Sequence, residues 1–75
     1  MDINKRLEEL TKGKNFNDDQ MDEIRCGLGN GLSIDEVKLY ADEKYNDYQM
    51  YILRNILENK KDKEFIKVMK QVLEA

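Results

Sequence analysis

The sequence predicts an all-α protein: a compact bundle of about five short helices containing two tandem helix-turn-helix units. Three observations predict it. A segment occurs twice, 29 positions apart, as FNDDQMDEIRCGL from Phe16 and YNDYQMYILRNIL from Tyr45. Proline is absent and glycine occurs only four times, so little in the 75 residues interrupts a helix. Apolar residues recur at i, i+3, i+4 and i+7, the period of one helix face.

The repeat pairs Phe16 with Tyr45, Asn17 with Asn46, Asp18 with Asp47, Gln20 with Gln49, Met21 with Met50, Ile24 with Leu53, Arg25 with Arg54, Leu28 with Leu57 and Asn30 with Asn59. Such self-similarity marks stacked units of one local structure. Most of the repeat reads as a helix start. Asn17 is placed to cap the first turn through its side-chain oxygen. Gln20, three residues on, reaches back to the N-cap amide, an Asn variant of the capping box. Phe16 and Met21 occupy the two positions of the hydrophobic staple. Asp18 and Asp19 sit in the first turn, where the helix dipole favours acids. Asn46, Gln49, Tyr45 and Met50 repeat the arrangement. Ser33 with Glu36 forms a further capping box, with Leu32 and Val37 at its staple positions. Shifted by 29, Ser33 becomes Asp62 and Val37 becomes Ile66. The units therefore span 16–41 and 45–70 within a single domain, 1–75.

Taken in order, the first helix is expected over 2–12, with Ile3, Leu7 and Leu10 as its stripe and Gly13 ending it. This stripe is expected to cover the open end of the repeat pair. The second runs over 18–28 with Met21, Ile24 and Leu28 inward; Gly27 leaves room for a close neighbour, and Gly29-Asn30-Gly31 stops the helix. The third runs over 34–41, with Ile34, Val37 and Ala41 on one face and Tyr40 along its edge. The fourth runs over 47–58. Where the first copy has Asp22, Glu23 and Gly27, this helix has Tyr51, Ile52 and Ile56. A helix apolar on most sides is a buried one, so this is the expected central helix. The fifth runs over 63–74 after an Asp62 cap, with Phe65, Ile66, Met69, Val72 and Leu73 as a broad apolar face and lysines on the other side.

Composition limits the function. One Cys and no His exclude an intramolecular disulfide and give a zinc site no ligand cluster; Cys26 reads as a small filler in a reducing compartment. No apolar leader or membrane-length run is present, so a soluble, cytoplasmic protein is expected. The net charge of −3 is uneven, with nine acids against Arg25, Lys38 and Lys44 over 18–47. Helix-start decoration explains most of those acids; an acidic centre also suits a basic partner surface. No phosphate loop, nucleophile–base pair or EF-hand spacing occurs. An enzyme is not expected, and no catalytic, cofactor or metal residue is assigned.

Five residues are candidates for binding a protein partner. Tyr48 and Tyr51 lie three apart on one helix face. With Tyr40, and with Tyr45 nearby, they form either an aromatic contact patch or the last layer of a small core. Arg25 and Arg54 are repeat residues that capping does not explain. They read either as interface anchors or as arginines whose stems pack on an aromatic while their heads pair with acids. A helix-turn-helix DNA-binding regulator is the alternative, with GLSIDEVKLYA from Gly31 opening the motif. Against it, Lys38 stands where such motifs need a small residue, and the turn 42–45 is long. The reading helix opens Asn46-Asp47-Tyr48-Gln49 and carries no cation before Arg54.

The run Gln20-Met21-Asp22-Glu23-Ile24-Arg25-Cys26-Gly27-Leu28, followed by Gly31-Leu32 and Tyr40-Ala41-Asp42, resembles a short helical Q-M-x-x-I-R-x-G-L repeat found in tandem in proteins of Gram-positive phages and mobile elements. The second copy lacks the glycines. The resemblance covers about residues 16–59 and implies a non-catalytic protein-binding role, as an accessory or inhibitory factor acting on a host or element protein.

Overall fold

Residues 3–59 and 63–74 are described by the structure, a computed structural model. Its helices are α1 (Ile3–Thr11), α2 (Asp18–Gly29), α3 (Ile34–Lys38), α4 (Asp47–Asn59) and α5 (Lys63–Glu74). No strand occurs among the described residues, so the chain is an all-α bundle. Asp62, the expected cap of α5, lies outside the described residues, as do Lys60 and Lys61.

The helix starts form as the repeat dictates. Asn17 Oδ1 accepts the Gln20 amide at 2.8 Å, and Gln20 Oε1 accepts the Asn17 amide at 2.9 Å. Asn46 and Gln49 make the same two bonds at 2.8 and 2.9 Å. Ser33 and Glu36 close the third box at the start of α3. The end of α2 is a Schellman motif. Leu32 N–H reaches Gly27 C=O at 3.0 Å and Gly31 N–H reaches Leu28 C=O at 3.2 Å. Gly31 takes the left-handed φ of 97° that this motif requires.

Two elements depart from expectation. α3 stops at Lys38 rather than running to 41, because its last turn tightens. The amides of Leu39 and Tyr40 bond three residues back, to Glu36 and Val37, at 3.1 Å each. The tightened turn swings Tyr40 from the helix edge into the core, where it is fully buried and its hydroxyl donates to Glu23 C=O at 2.7 Å. The second departure is the central helix. α2 packs against α1, α3 and α4, whereas α4 packs mainly on α2 and α5. The extra apolar stripe of α4 therefore points outward: Tyr51 is exposed and Ile52 only half-buried. The α1 stripe seats Leu7 and Leu10 against the first unit, with α1 lying on α2 and α3.

Repeat-equivalent residues fill the core. Ile24 and Leu53 are fully buried, Leu28 and Leu57 nearly or fully so, and Val37 and Ile66 are both at 0 % exposure. The units differ at one packing detail. In the first, Gly27 leaves space that Tyr40 fills; in the second, the same two positions hold Ile56 and Met69, both partly buried against the core. A small–large pair has been exchanged for two medium side chains, both of which stay partly exposed. The broad face expected on α5 splits. Ile66, Met69 and Leu73 turn inward, whereas Phe65, Val68 and Val72 are exposed.

A β-carbon on Gly27 would lie 2.1 Å from Tyr40 Oη. Gly27→Ala is therefore expected to destabilise the protein in urea unfolding, since overpacking at about 1–3 kcal/mol exceeds the ~1 kcal/mol that alanine gains in a helix. In a Tyr40→Phe background the same substitution is expected to cost at least about 1 kcal/mol less, because the obstructing hydroxyl is gone. Simple additivity of the two changes would contradict this packing.

Candidate functional site

The five sequence candidates separate into an outer and an inner group. Tyr48 is 67 % exposed and Tyr51 is 44 % exposed, both on the outward side of α4. Arg25 is on the surface of α2, where its Nη1 bonds Asp22 Oδ1 at 2.8 Å. Arg54 and Tyr40 lie inside. Their place in a contact patch is corrected by their burial, which has a local cause in each case.

Arg54 sits where α4 meets α2. Its Nε bonds Glu23 at 2.8 Å and its Nη1 bonds Glu58 at 2.9 Å, with only 12 % of the side chain exposed. Asn30 adds a 2.9 Å bond to the same Glu58 oxygen. Burial opposes the Arg54 charge, but the hydrogen bonds to Glu23 and Glu58 outweigh it and hold its pKa above the ordinary arginine value. The guanidinium also lies 5.4 Å from the centre of the Tyr51 ring, in cation–π range. Arg25 has none of this: the residue one turn on, at the position that matches Glu58, is Gly29, and its pair is Asp22 alone. Identical repeat residues thus do different work: Arg54 ties two helices together, and Arg25 makes one solvent-exposed pair.

Tyr40 is held by its hydroxyl bond to Glu23 C=O, and burial pushes its pKa well up, keeping it a protonated donor. Tyr45 is also buried, and its hydroxyl bonds Glu74 at the end of α5. Burial, then that bond, raise its pKa. Lys44 Nζ reaches the other Glu74 oxygen at 2.8 Å. The Lys44 and Tyr45 bonds hold the Glu74 carboxyl below the usual carboxylate range. These groups anchor the α5 C-terminus to the turn before α4.

The outer group extends beyond the sequence candidates. Tyr51, Ile52, Asn55, Ile56 and Asn59 of α4 and Phe65 of α5 line an open groove of about 250 Å³. Val68 and Val72, three and seven residues after Phe65, continue its stripe and are 54 % and 61 % exposed. α4 and α5 run antiparallel here: Gln49, near the start of α4, donates to Leu73 C=O near the end of α5 at 3.3 Å. Five of the six large apolar side chains exposed among the described residues belong to this α4–α5 face; the sixth is Ile3.

The repeat shows that the fold does not demand these residues. Shifted back by 29, Tyr48, Tyr51, Ile52, Phe65 and Val72 become Asp19, Asp22, Glu23, Glu36 and Glu43. The first unit places acids where the second places apolar side chains. This contrast was present in the sequence and marks Phe65 and Val72, which amphipathicity alone assigns to a core. Val68 has Leu39 as its counterpart, and only the structure finds it.

Cys26 is exposed and free rather than a core filler. Among the described residues, no three His, Cys, Asp or Glu side chains come together to hold a metal ion. No helix there is long and apolar enough to cross a membrane.

Arg54→Ala is expected to lower stability by about 1.5–3 kcal/mol, since it leaves Glu23 and Glu58 half-buried without their shared cation. Arg25→Ala is expected to stay within about 0.5 kcal/mol. Denaturant unfolding of the two variants side by side checks this, and equal losses would contradict the separation of roles.

Compared with protein-family models, curated proteins and solved structures, the chain has no match. Its function is read from its own residues.

Proposed function

We propose that this chain is a non-catalytic protein-binding module that docks on another protein through the α4–α5 face. In keeping with the repeat resemblance, it acts in the cytoplasm as an accessory or inhibitory factor of a Gram-positive phage or mobile element, on a host or element protein. One observation carries the docking role. Tyr48, Tyr51, Phe65 and Val72 are exposed apolar residues at positions where the other repeat unit has acids. Contiguous exposed apolar surface on a small protein marks an interaction site, and tyrosine is favoured at interface centres. The helix-turn-helix DNA-binding alternative makes α4 the reading helix. Arg54 is the one cation of α4, and Glu23 and Glu58 already hold it. Phosphate neutralisation, the main source of DNA affinity, has little to draw on there.

The test is capture of partners from a Gram-positive host lysate by the wild type and by Tyr48→Asn/Tyr51→Asn. Asparagine is the uncharged isostere of the aspartates that the first unit carries, so the variant is expected to keep its helical circular dichroism and its melting temperature within about 4 °C. A protein retained by the wild type and lost by this folded variant is the expected result. Equal capture by both would contradict the assignment of the face, and absence of any specific protein would contradict the binding role.

A further inference from the structure

The α4–α5 groove has unpaired acids on its α2 edge, and that asymmetry says what fits it. Along the α2 edge, contacts run from Tyr51 to Arg54 at 5.4 Å, and from Arg54 to Glu23 of α2 at 2.8 Å. α2 and α4 run parallel. Gln20, in the first turn of α2, bonds Tyr45 C=O just before α4, and Asn30, at the α2 C-cap, bonds Glu58 near the end of α4. Asp19 therefore lies one turn before Glu23, at the level of its repeat counterpart Tyr48, and Asp47 lies one turn before Tyr51. Asp19 and Asp47 are exposed, and neither is in an ion pair. The two cations of α2 and α4 are already taken, Arg25 by Asp22 and Arg54 by Glu23 and Glu58. The α2 edge is left with uncompensated negative charge. Along the α5 edge the acid Glu64 has a cation beside it, with Lys67 Nζ at 3.7 Å.

Resting on the protein-binding reading above, we propose that the partner presents an amphipathic helix, its apolar stripe bordered on one side by lysine and arginine. The groove lies between two antiparallel helices and offers apolar contacts at helical spacing on both walls. Its shape suits a third helix laid along it, with anchors at i, i+3 or i+4, and i+7. The basic border faces Asp19 and Asp47, steering the encounter and fixing which way the helix lies. A second copy of this chain fits less well. A two-fold contact would set the acidic α2 edge of one molecule against the α5 edge of the other, where Glu64 already balances Lys67.

A display library of 18-residue helices with a fixed apolar stripe and randomised borders tests this. Selection is run in parallel on the full chain and on Tyr48→Asn/Tyr51→Asn. The expected result is enrichment of Lys and Arg along one border, seen on the wild type and lost on the variant. An enriched peptide should bind Asp19→Asn/Asp47→Asn about threefold to tenfold more weakly, the range that two exposed ion pairs supply, and the difference should shrink in high salt. Neutral or acidic borders enriched equally, but still lost on the tyrosine variant, would overturn the basic helix and leave the docking face standing. Enrichment no better on the wild type than on the variant would overturn both. A wild-type dimer in sedimentation, abolished by the tyrosine changes, would make a second copy the occupant and overturn the proposal.

Discussion

The carboxamide of Gln20 is the interaction on which the rest of the bundle depends. Gln20 is the one buried polar residue among those described, at 6 % exposure. Its oxygen accepts the Asn17 amide and so starts α2. Its nitrogen donates to Tyr45 C=O at 2.6 Å and to Glu43 C=O at 3.3 Å. One side chain thus caps a helix and fastens the chain that enters the next one. Buried polar groups persist where every bond is made, and no buried side-chain nitrogen or oxygen among the described residues lacks a partner. Gln49 repeats the device more loosely, with its nitrogen donating to Leu73 C=O. A local cap has become a tertiary clasp, used once per unit.

With the frame fixed this way, the two copies were able to diverge on the surface. The clasp, the caps and the Ile24/Leu53, Leu28/Leu57 and Val37/Ile66 layers are shared. The outward faces differ in kind: acids on the first unit, apolar side chains on the second. Arg25 and Arg54 show the same divergence at one position, because Arg54 meets Glu23 of the other unit and Glu58 of its own, whereas Arg25 meets Asp22 alone. The protein is best understood as a repeated scaffold carrying two unlike surfaces, one charged and one apolar. The apolar one supports the docking reading.

Much of this was legible in the sequence. All three capping boxes, the inward stripe of α4 and the end of α2 follow from residue types at fixed spacings, because caps and periodicity are local. The pairing of Gly27 with a large neighbour was visible as an unusual glycine, but not its partner. Tyr40 became that partner through a tightened turn, which no pattern within α3 announces. The role of Arg54 depended on Glu23, 31 residues away, and a single sequence gives no sign of that contact. The outward turn of Phe65 and Val72 departs from the broad inward face that amphipathicity predicts for α5, because hydrophobicity is not burial. Apolar residues beyond what a small core can cover have to face water or a partner.

The most direct test of the clasp is the unfolding free energy of Gln20→Glu against Gln49→Glu at pH 7. The glutamate keeps the shape and the oxygen that accepts the N-cap amide, but it sets a carboxylate oxygen against two carbonyls where an N–H₂ had donated. A loss of about 2–3 kcal/mol is expected for Gln20→Glu, from an unmatched and partly charged buried group, with a clearly smaller loss for the half-exposed Gln49→Glu. Equal and negligible losses at both positions would show that hydrophobic layers alone hold the units together, and would contradict the clasp.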